Sequence, residues 1–162
     1  MASYIPDLAR TNISFYTVPA AWIVALMPRV WALNNYKAAT KKDTKAIALQ
    51  PRDFSKIATN DQALDAKTRD RIIRAEAAQA NGFENFGLFA AAVVAGNMAG
   101  LEVSTMNGLT IAYVVSRVVY NHIYIYNDLL PSQARTAAFF GGVGICMAMF
   151  VQAGNKMRST LL

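Results

Sequence analysis

The chain has 162 residues, of which 54% are hydrophobic and only 16% are charged. This composition departs from the soluble average and predicts a single compact domain in a membrane. The net charge of +6 does not indicate a nucleic-acid partner, because the basic residues crowd into a loop beside apolar segments. Cys146 is the only cysteine, which excludes an intrachain disulfide and a cysteine-based metal site. We expect no metal site.

The first predicted helix covers residues 13–33. Its length matches the roughly 20 apolar residues that a spanning helix needs. Pro19 and Pro28 lie inside it, and neighbouring helices in a membrane can satisfy the backbone groups that a proline frees. No small-residue cleavage site follows closely, so we expect a retained anchor and not a removed signal peptide.

Residues 34–69 are predicted to form a solvated, basic loop. Pro51 interrupts any helix there, and the sequence around it is typical of a turn. The loop carries eight basic residues, whereas the link after the second helix carries none. Because basic loops face the cytosol, the first loop is predicted to be cytosolic and both termini to lie on the other side. The basic residues are Lys37, Lys41, Lys42, Lys45, Arg52, Lys56, Lys67 and Arg69.

Three further helices are predicted, at residues 70–100, 104–127 and 131–154. The short link around Gly100 and Glu102 predicts that the second and third helices form an antiparallel hairpin.

The fourth helix begins with Pro131, which suits a first helical turn. Its small residues Gly141, Gly142 and Gly144 permit close approach of a neighbouring helix. The sequence therefore predicts an all-α integral membrane four-helix bundle, with residues 1–162 forming one domain.

Three polar residues lie where a lipid-facing helix would avoid them. They are Asn81 and Glu84 on the second helix and Arg117 on the third. An ionisable group at membrane depth costs about 2.5 to 3.5 kcal/mol on insertion scales, so we expect Glu84 and Arg117 to face each other inside the bundle. Such a pair either marks a functional site or only fastens the two helices.

A polar and aromatic stripe follows the third helix. Tyr113, Arg117, Tyr120 and Tyr124 recur at spacings of three and four, which places them on one helix face. Interfacial tyrosines are the alternative reading for Tyr124. Together with Arg74, Asn81 and Glu84 of the second helix, the stripe predicts a polar cavity that opens toward the cytosol. Its donors and its carboxylate suit a ligand with carboxylates, amides and an ammonium group.

Two separated motifs resemble a known family. The run RAEAAQANGFENFGLF from Arg74 to Phe89 and the run RVVYNHIY from Arg117 to Tyr124 are similar to the second-helix and third-helix signatures of MAPEG, the membrane-associated proteins of eicosanoid and glutathione metabolism. The run from Gln50 to Arg52 resembles a short Asn-Pro-Arg element of the family's loop.

The resemblance implies a homotrimer that binds glutathione as co-substrate between neighbouring subunits, facing the cytosol, in an internal membrane such as the endoplasmic reticulum. By matching positions, Asn81, Glu84, Arg117, Tyr120 and Tyr124 would hold glutathione.

Two departures from the family pattern stand out. Ala77 occupies the place of an arginine, which leaves Arg74 as its substitute, and Gly87 replaces a proline.

The resemblance also implies a catalytic arginine near the start of the fourth helix, where this chain has Arg135. A cation there would favour the thiolate of glutathione, whose thiol has an ordinary pKa of about 8.5. Arg135 as an interfacial residue that extends toward water is the alternative.

The function implied is a membrane-bound, glutathione-dependent transferase or peroxidase that acts on a lipophilic small molecule dissolved in the bilayer. The alternative is a non-enzymatic family member that binds a lipid or a partner protein.

Overall fold

The structure is a computed structural model that describes residues 7–129 and 132–161. All regular structure in these ranges is helical, which confirms the all-α class. There are four long helices, α1 (Thr17–Thr40), α4 (Ala66–Met98), α5 (Val103–Ile125) and α6 (Ser132–Leu161), and two short ones, α2 (Lys45–Leu49) and α3 (Phe54–Asn60). Helices α4 and α5 each contact all three of the other long helices.

The four long helices overlap the four predicted segments, but their ends differ. Helix α1 continues to Thr40 and α6 to Leu161, both well beyond the predicted ends at residues 33 and 154. The predicted start of the last helix at Pro131 lies outside the described residues.

The segment predicted as a solvated loop is instead partly folded. It contains the last turns of α1 together with α2 and α3, and the side chains of Ile47 and Phe54 are only 2% and 0% exposed. Tyr36, Ile72 and Ile125 belong to the same apolar cluster. The loop prediction was therefore wrong for these residues, because a few apolar side chains among many lysines are enough to dock the short helices on α1 and α4.

Pro28 lies inside α1, where it removes one backbone donor. The carbonyl left without its usual partner is that of Val24, four residues earlier. Asn121 on α5 donates its side-chain N–H to this carbonyl at 2.9 Å. A neighbouring helix thus replaces the lost hydrogen bond, as expected for a proline in a membrane helix.

Glycines on α4 bring the long helices close together. A Cβ added at Gly82 would lie 3.0 Å from the Ala25 Cβ of α1, and one added at Gly96 would meet the Met106 side chain of α5. On α6 only Gly142 is close to another element, whereas Gly141 and Gly144 have nothing within 4 Å.

Two of the long helices are apolar and long enough to cross a membrane. They cover residues Ser14–Thr40 and Gln133–Ser159, with mean hydropathies of 1.2 and 1.6. Helices α4 and α5 have comparable length but carry the charged and polar residues of the candidate site.

Asp61 ties the end of α1 to the segment that leads into α4. Its carboxylate accepts hydrogen bonds from Lys42 Nζ at 2.7 Å, from the Tyr36 hydroxyl at 2.7 Å and from the Ala63 backbone N–H at 2.9 Å. These hydrogen bonds, the one from Lys42 first, lower the pKa of Asp61 from 3.8 to about 2. The ionised form is therefore favoured in the folded chain.

The lowered pKa makes a prediction about acid stability. A carboxylate with a depressed pKa stabilises the fold above its unfolded pKa and loses that effect as the pH falls through the folded value. Asp61→Asn should therefore melt below wild type at neutral pH, and the difference should shrink between pH 3.8 and about 2. Melting temperatures in detergent across this range test it, with Asp43→Asn, whose pair with Lys45 is largely exposed, as control. An equal deficit at all pH values would contradict the prediction.

Candidate functional site

The predicted stripe of α5 is buried against the neighbouring helices. Tyr113, Arg117 and Tyr120 are 2%, 4% and 2% exposed, and Tyr124 near the helix end is half-buried. The rings of Tyr120 and Tyr124 lie 5.4 Å apart, and the Tyr113 ring stacks on Phe89 of α4 at 3.9 Å. The stripe is therefore a packed column between α4 and α6.

Arg117 is held from two directions. Its Nη2 donates to the Ala138 carbonyl of α6 at 2.9 Å, and its guanidinium carbon lies 4.7 Å from the Tyr120 ring centre and 5.5 Å from that of Tyr113. Nε and Nη1 are buried and have no hydrogen-bond partner within the described parts of the chain. The positive charge of Arg117 is therefore stabilised by cation–π contacts with two tyrosine rings and not by a carboxylate of the described residues.

Glu84 does not face Arg117, so the prediction that these two residues pair inside the subunit is wrong. The Glu84 side chain is exposed and forms no ion pair with any residue of the ranges 7–129 and 132–161. Two residues earlier, Gly82 packs on α1. A separation of two residues turns a helix by about 200°, so Glu84 points away from the face that packs inside the subunit.

Asn81 and Tyr120 are brought together, as the stripe would require. The Asn81 side chain interacts with the Tyr120 phenol, and Asn81 is partly buried. This contact links α4 and α5 at the height of the column.

Arg74 is engaged with the link between α5 and α6. Its Nε donates to the Ile125 carbonyl at 3.1 Å and its Nη2 to the Asp128 carboxylate at 3.1 Å. Arg71 donates to the same carboxylate at 2.9 Å and lies over the Tyr126 ring at 4.7 Å. The hydrogen bond from Arg71 lowers the pKa of Asp128. The two arginines therefore fasten the start of α4 to the end of α5.

Arg135 continues the column on α6. Its guanidinium carbon lies 5.0 Å from the Tyr124 ring centre, and the residue borders an open cavity of about 520 Å³. It has no carboxylate within ion-pair distance in the part of the chain that the structure describes. Gln133, Thr136, Ala137 and Phe140 line the rest of this cavity.

A second cavity of about 610 Å³ lies between α1, α4 and the segment around Pro51. Ala77, the position that departs from the family pattern, lines it together with Gln79 and with Arg29 and Arg52 from outside α4. Arg29 forms an ion pair with Glu76 and donates to the Pro51 carbonyl at 2.7 Å. Ala77 precedes Asn81 by four residues, so this cavity borders the same face of α4 that carries Asn81.

Two contacts between helices were missed by sequence reasoning. The ion pair of Arg29 and Glu76 joins helices that are far apart in the chain, and no local pattern marks it. The hydrogen bond from Asn121 to the Val24 carbonyl was predicted only in part. A proline inside a helix leaves the carbonyl four residues earlier without a donor, but the sequence does not identify the residue that supplies one.

Gly142 offers a test of the position of Arg117. A Cβ at Gly142 would overlap the Arg117 guanidinium, whereas one at Gly144 would meet nothing within 4 Å. Gly142→Ala should therefore displace Arg117 and with it Tyr120, which changes the near-ultraviolet circular dichroism of the tyrosines. Gly144→Ala should leave the signal unchanged and raise helix stability by up to about 1 kcal/mol. Identical spectra for the two variants would contradict the assigned packing.

Comparison with protein families gave a match over most of the chain. The model of the MAPEG family matches residues 16–155, which include all six helices apart from the last turns of α6. Comparison with curated proteins and with solved structures gave no match. The match covers most of the chain, and the motifs on α4 and α5 lie inside it; the chain belongs to the MAPEG family of membrane proteins.

Proposed function

We propose that this protein is a membrane-bound transferase or peroxidase that uses glutathione on a lipophilic substrate. The proposal depends on the position of Arg135. Its guanidinium contacts the Tyr124 ring and borders an open cavity of about 520 Å³. The volume lies in the range of small-molecule sites. Helix α6 is apolar enough to cross a membrane, so a lipophilic substrate could reach the cavity from the bilayer.

The chemistry proposed for Arg135 is activation of the glutathione thiol. A cation within about 4 to 6 Å favours the charged form of an acid and lowers its pKa by 1 to 3 units. The thiol then loses its proton to water. The thiolate sulfur attacks an electrophilic carbon, a C–S bond forms, and the leaving group departs with the electron pair of its former bond.

We assign the binding of glutathione to Tyr124, which contacts Arg135, and to Asn81 and Glu84 of α4. Tyr124 offers a half-buried phenol, Asn81 an amide, and Glu84 an exposed carboxylate suited to the ligand's ammonium group. Arg117 and Tyr120 are too buried to be reached from the cavity, so we assign them to positioning Tyr124 and Asn81.

A non-enzymatic role is favoured by one observation. Ala77 supplies no cation, and Arg74 is already bound to Asp128 and to the Ile125 carbonyl. A tripeptide with two carboxylates would therefore find fewer free arginines on α4 than the family pattern offers. On this alternative the same cavity would hold a lipid or face a partner protein.

The distribution of these residues supports assembly as a homotrimer. Glu84 is exposed while Asn81 faces Tyr120, and the cavity at Arg135 is open on one side. A neighbouring subunit that covers these surfaces would complete the site. Native mass spectrometry in mild detergent should therefore show trimers, and cross-linking in native membranes should show the same species. Monomers alone in both experiments would contradict this assembly.

The proposed function is tested by titrating glutathione into the purified protein and by measuring conjugation of a lipophilic electrophile. Arg135→Ala should lower turnover about tenfold or more, because the thiolate fraction falls with the loss of the cation, while glutathione affinity changes little. Gln133→Ala, which alters the same cavity without removing charge, is the matched control. Tyr124→Phe should weaken binding about fivefold, the value of one hydrogen bond.

The outcomes separate the alternatives. Heat on titration and a thiolate absorbance that is lost in Arg135→Ala support the enzyme. Binding without a thiolate signal in wild type would remove Arg135 from the mechanism. Absence of glutathione binding would favour the non-enzymatic role.

A further inference from the structure

A cluster of lysines lies directly at the end of the first apolar helix. Lys37 is on the last turns of α1, Lys41 follows it, and Lys45 begins α2; all three are exposed. The apolar stretch that could cross a membrane ends at Thr40, in the middle of this group. We call Lys37, Lys41, Lys45 and the neighbouring Leu49 the lysine surface.

A short turn joins the two helices that carry these side chains. Lys41 adopts a left-handed conformation with φ of 56°, and its N–H donates to the Lys37 carbonyl at 2.9 Å. This conformation ends α1, and α2 begins four residues later at Lys45. Lys42 in the same turn is fixed by Asp61, so the turn is anchored to the fold.

Little negative charge offsets the lysine surface. Asp43 lies 3.4 Å from Lys45, but their side chains are 64% and 88% exposed, so the pair is weak. Lys37 and Lys41 form no ion pair with any described residue. The surface therefore carries net positive charge toward its surroundings.

An exposed apolar side chain lies beside the lysines. Leu49 is 83% exposed, and it follows Lys45 by four residues on α2, so the two share a helix face. Ile47 of the same helix is 2% exposed and docks α2 on the core. Helix α2 thus presents an ammonium group and a leucine together while its other side is fixed.

We propose that the lysine surface binds the anionic headgroups of phospholipids in the leaflet next to it. Clusters of lysine beside a spanning helix attract anionic lipids, and an apolar residue among them can enter the boundary between headgroups and acyl chains. A charge signal for topology needs only the lysines. It gives no reason for a leucine to remain uncovered beside them.

The test uses the full chain in detergent with phosphatidylserine or phosphatidylcholine added, and counts bound lipid by native mass spectrometry. Phosphatidylserine should bind more tightly than phosphatidylcholine. Each lysine near an anionic surface is worth roughly a fivefold change in affinity, so Lys41→Gln with Lys45→Gln should weaken phosphatidylserine binding by about tenfold or more. The matched control is Lys56→Gln with Lys67→Gln, which removes the same charge from exposed positions outside the lysine surface.

A second readout addresses Leu49 and the source of the phosphate. Leu49→Trp is made together with Trp22→Phe and Trp31→Phe, so that it is the only tryptophan, and its fluorescence should be quenched in vesicles with brominated phosphatidylserine. Leu49→Ser should weaken lipid binding while the melting temperature stays unchanged. Free phosphoserine should compete poorly, because it has no acyl chain.

Three results would overturn the proposal: equal losses in the two double-lysine variants, unquenched Leu49→Trp, or free phosphoserine that binds as well as the lipid. Equal losses would mean that lipid binding depends only on the net charge of the protein. An unquenched tryptophan would place position 49 away from the bilayer. Tight binding of free phosphoserine would show a site for a soluble phosphate and not for a lipid.

Discussion

The buried guanidinium of Arg117 constrains the candidate site more than any other group. It is 4% exposed, donates to a carbonyl of α6 and lies under two tyrosine rings of its own helix. A positive charge at this depth is costly unless hydrogen-bond acceptors and ring faces compensate it. Because these partners come from α5 and α6, the relative position of the two helices is fixed, and the order of Tyr120, Tyr124 and Arg135 along the column follows from it.

The polar positions of the α4 motif lie on one face of that helix. Asn81, which meets Tyr120, follows Ala77 by four residues and precedes Glu84 by three, so the three positions share a face. Ala77 also lines a separate cavity with Arg29 and Arg52, and the Glu84 side chain is exposed. A motif face that the subunit covers only in part is what makes a site between subunits a reasonable proposal.

The segment between α1 and α4 is ordered by a few contacts with unlike roles. Asp61 accepts hydrogen bonds from Lys42 and Tyr36, and Arg29 donates to the Pro51 carbonyl. The Phe54 side chain is fully buried in the same segment. Once these contacts are made, the remaining lysines are left on the outside at the end of α1. Folding of the segment thus separates lysines that stabilise the chain from lysines that are free to meet another surface.

The sequence by itself determined the helical class, the number and approximate place of the long helices and the family motifs, because apolar length and the spacing of polar residues are local properties. It also indicated that Pro28 needs a donor from elsewhere. Only the tertiary structure decided that Asn121 is this donor, that Glu84 points outward and that Arg74 is bound to Asp128. Helical periodicity states which residues share a face, but which neighbour that face meets depends on how the helices rotate and pack, and this is settled by contacts between residues far apart in the chain.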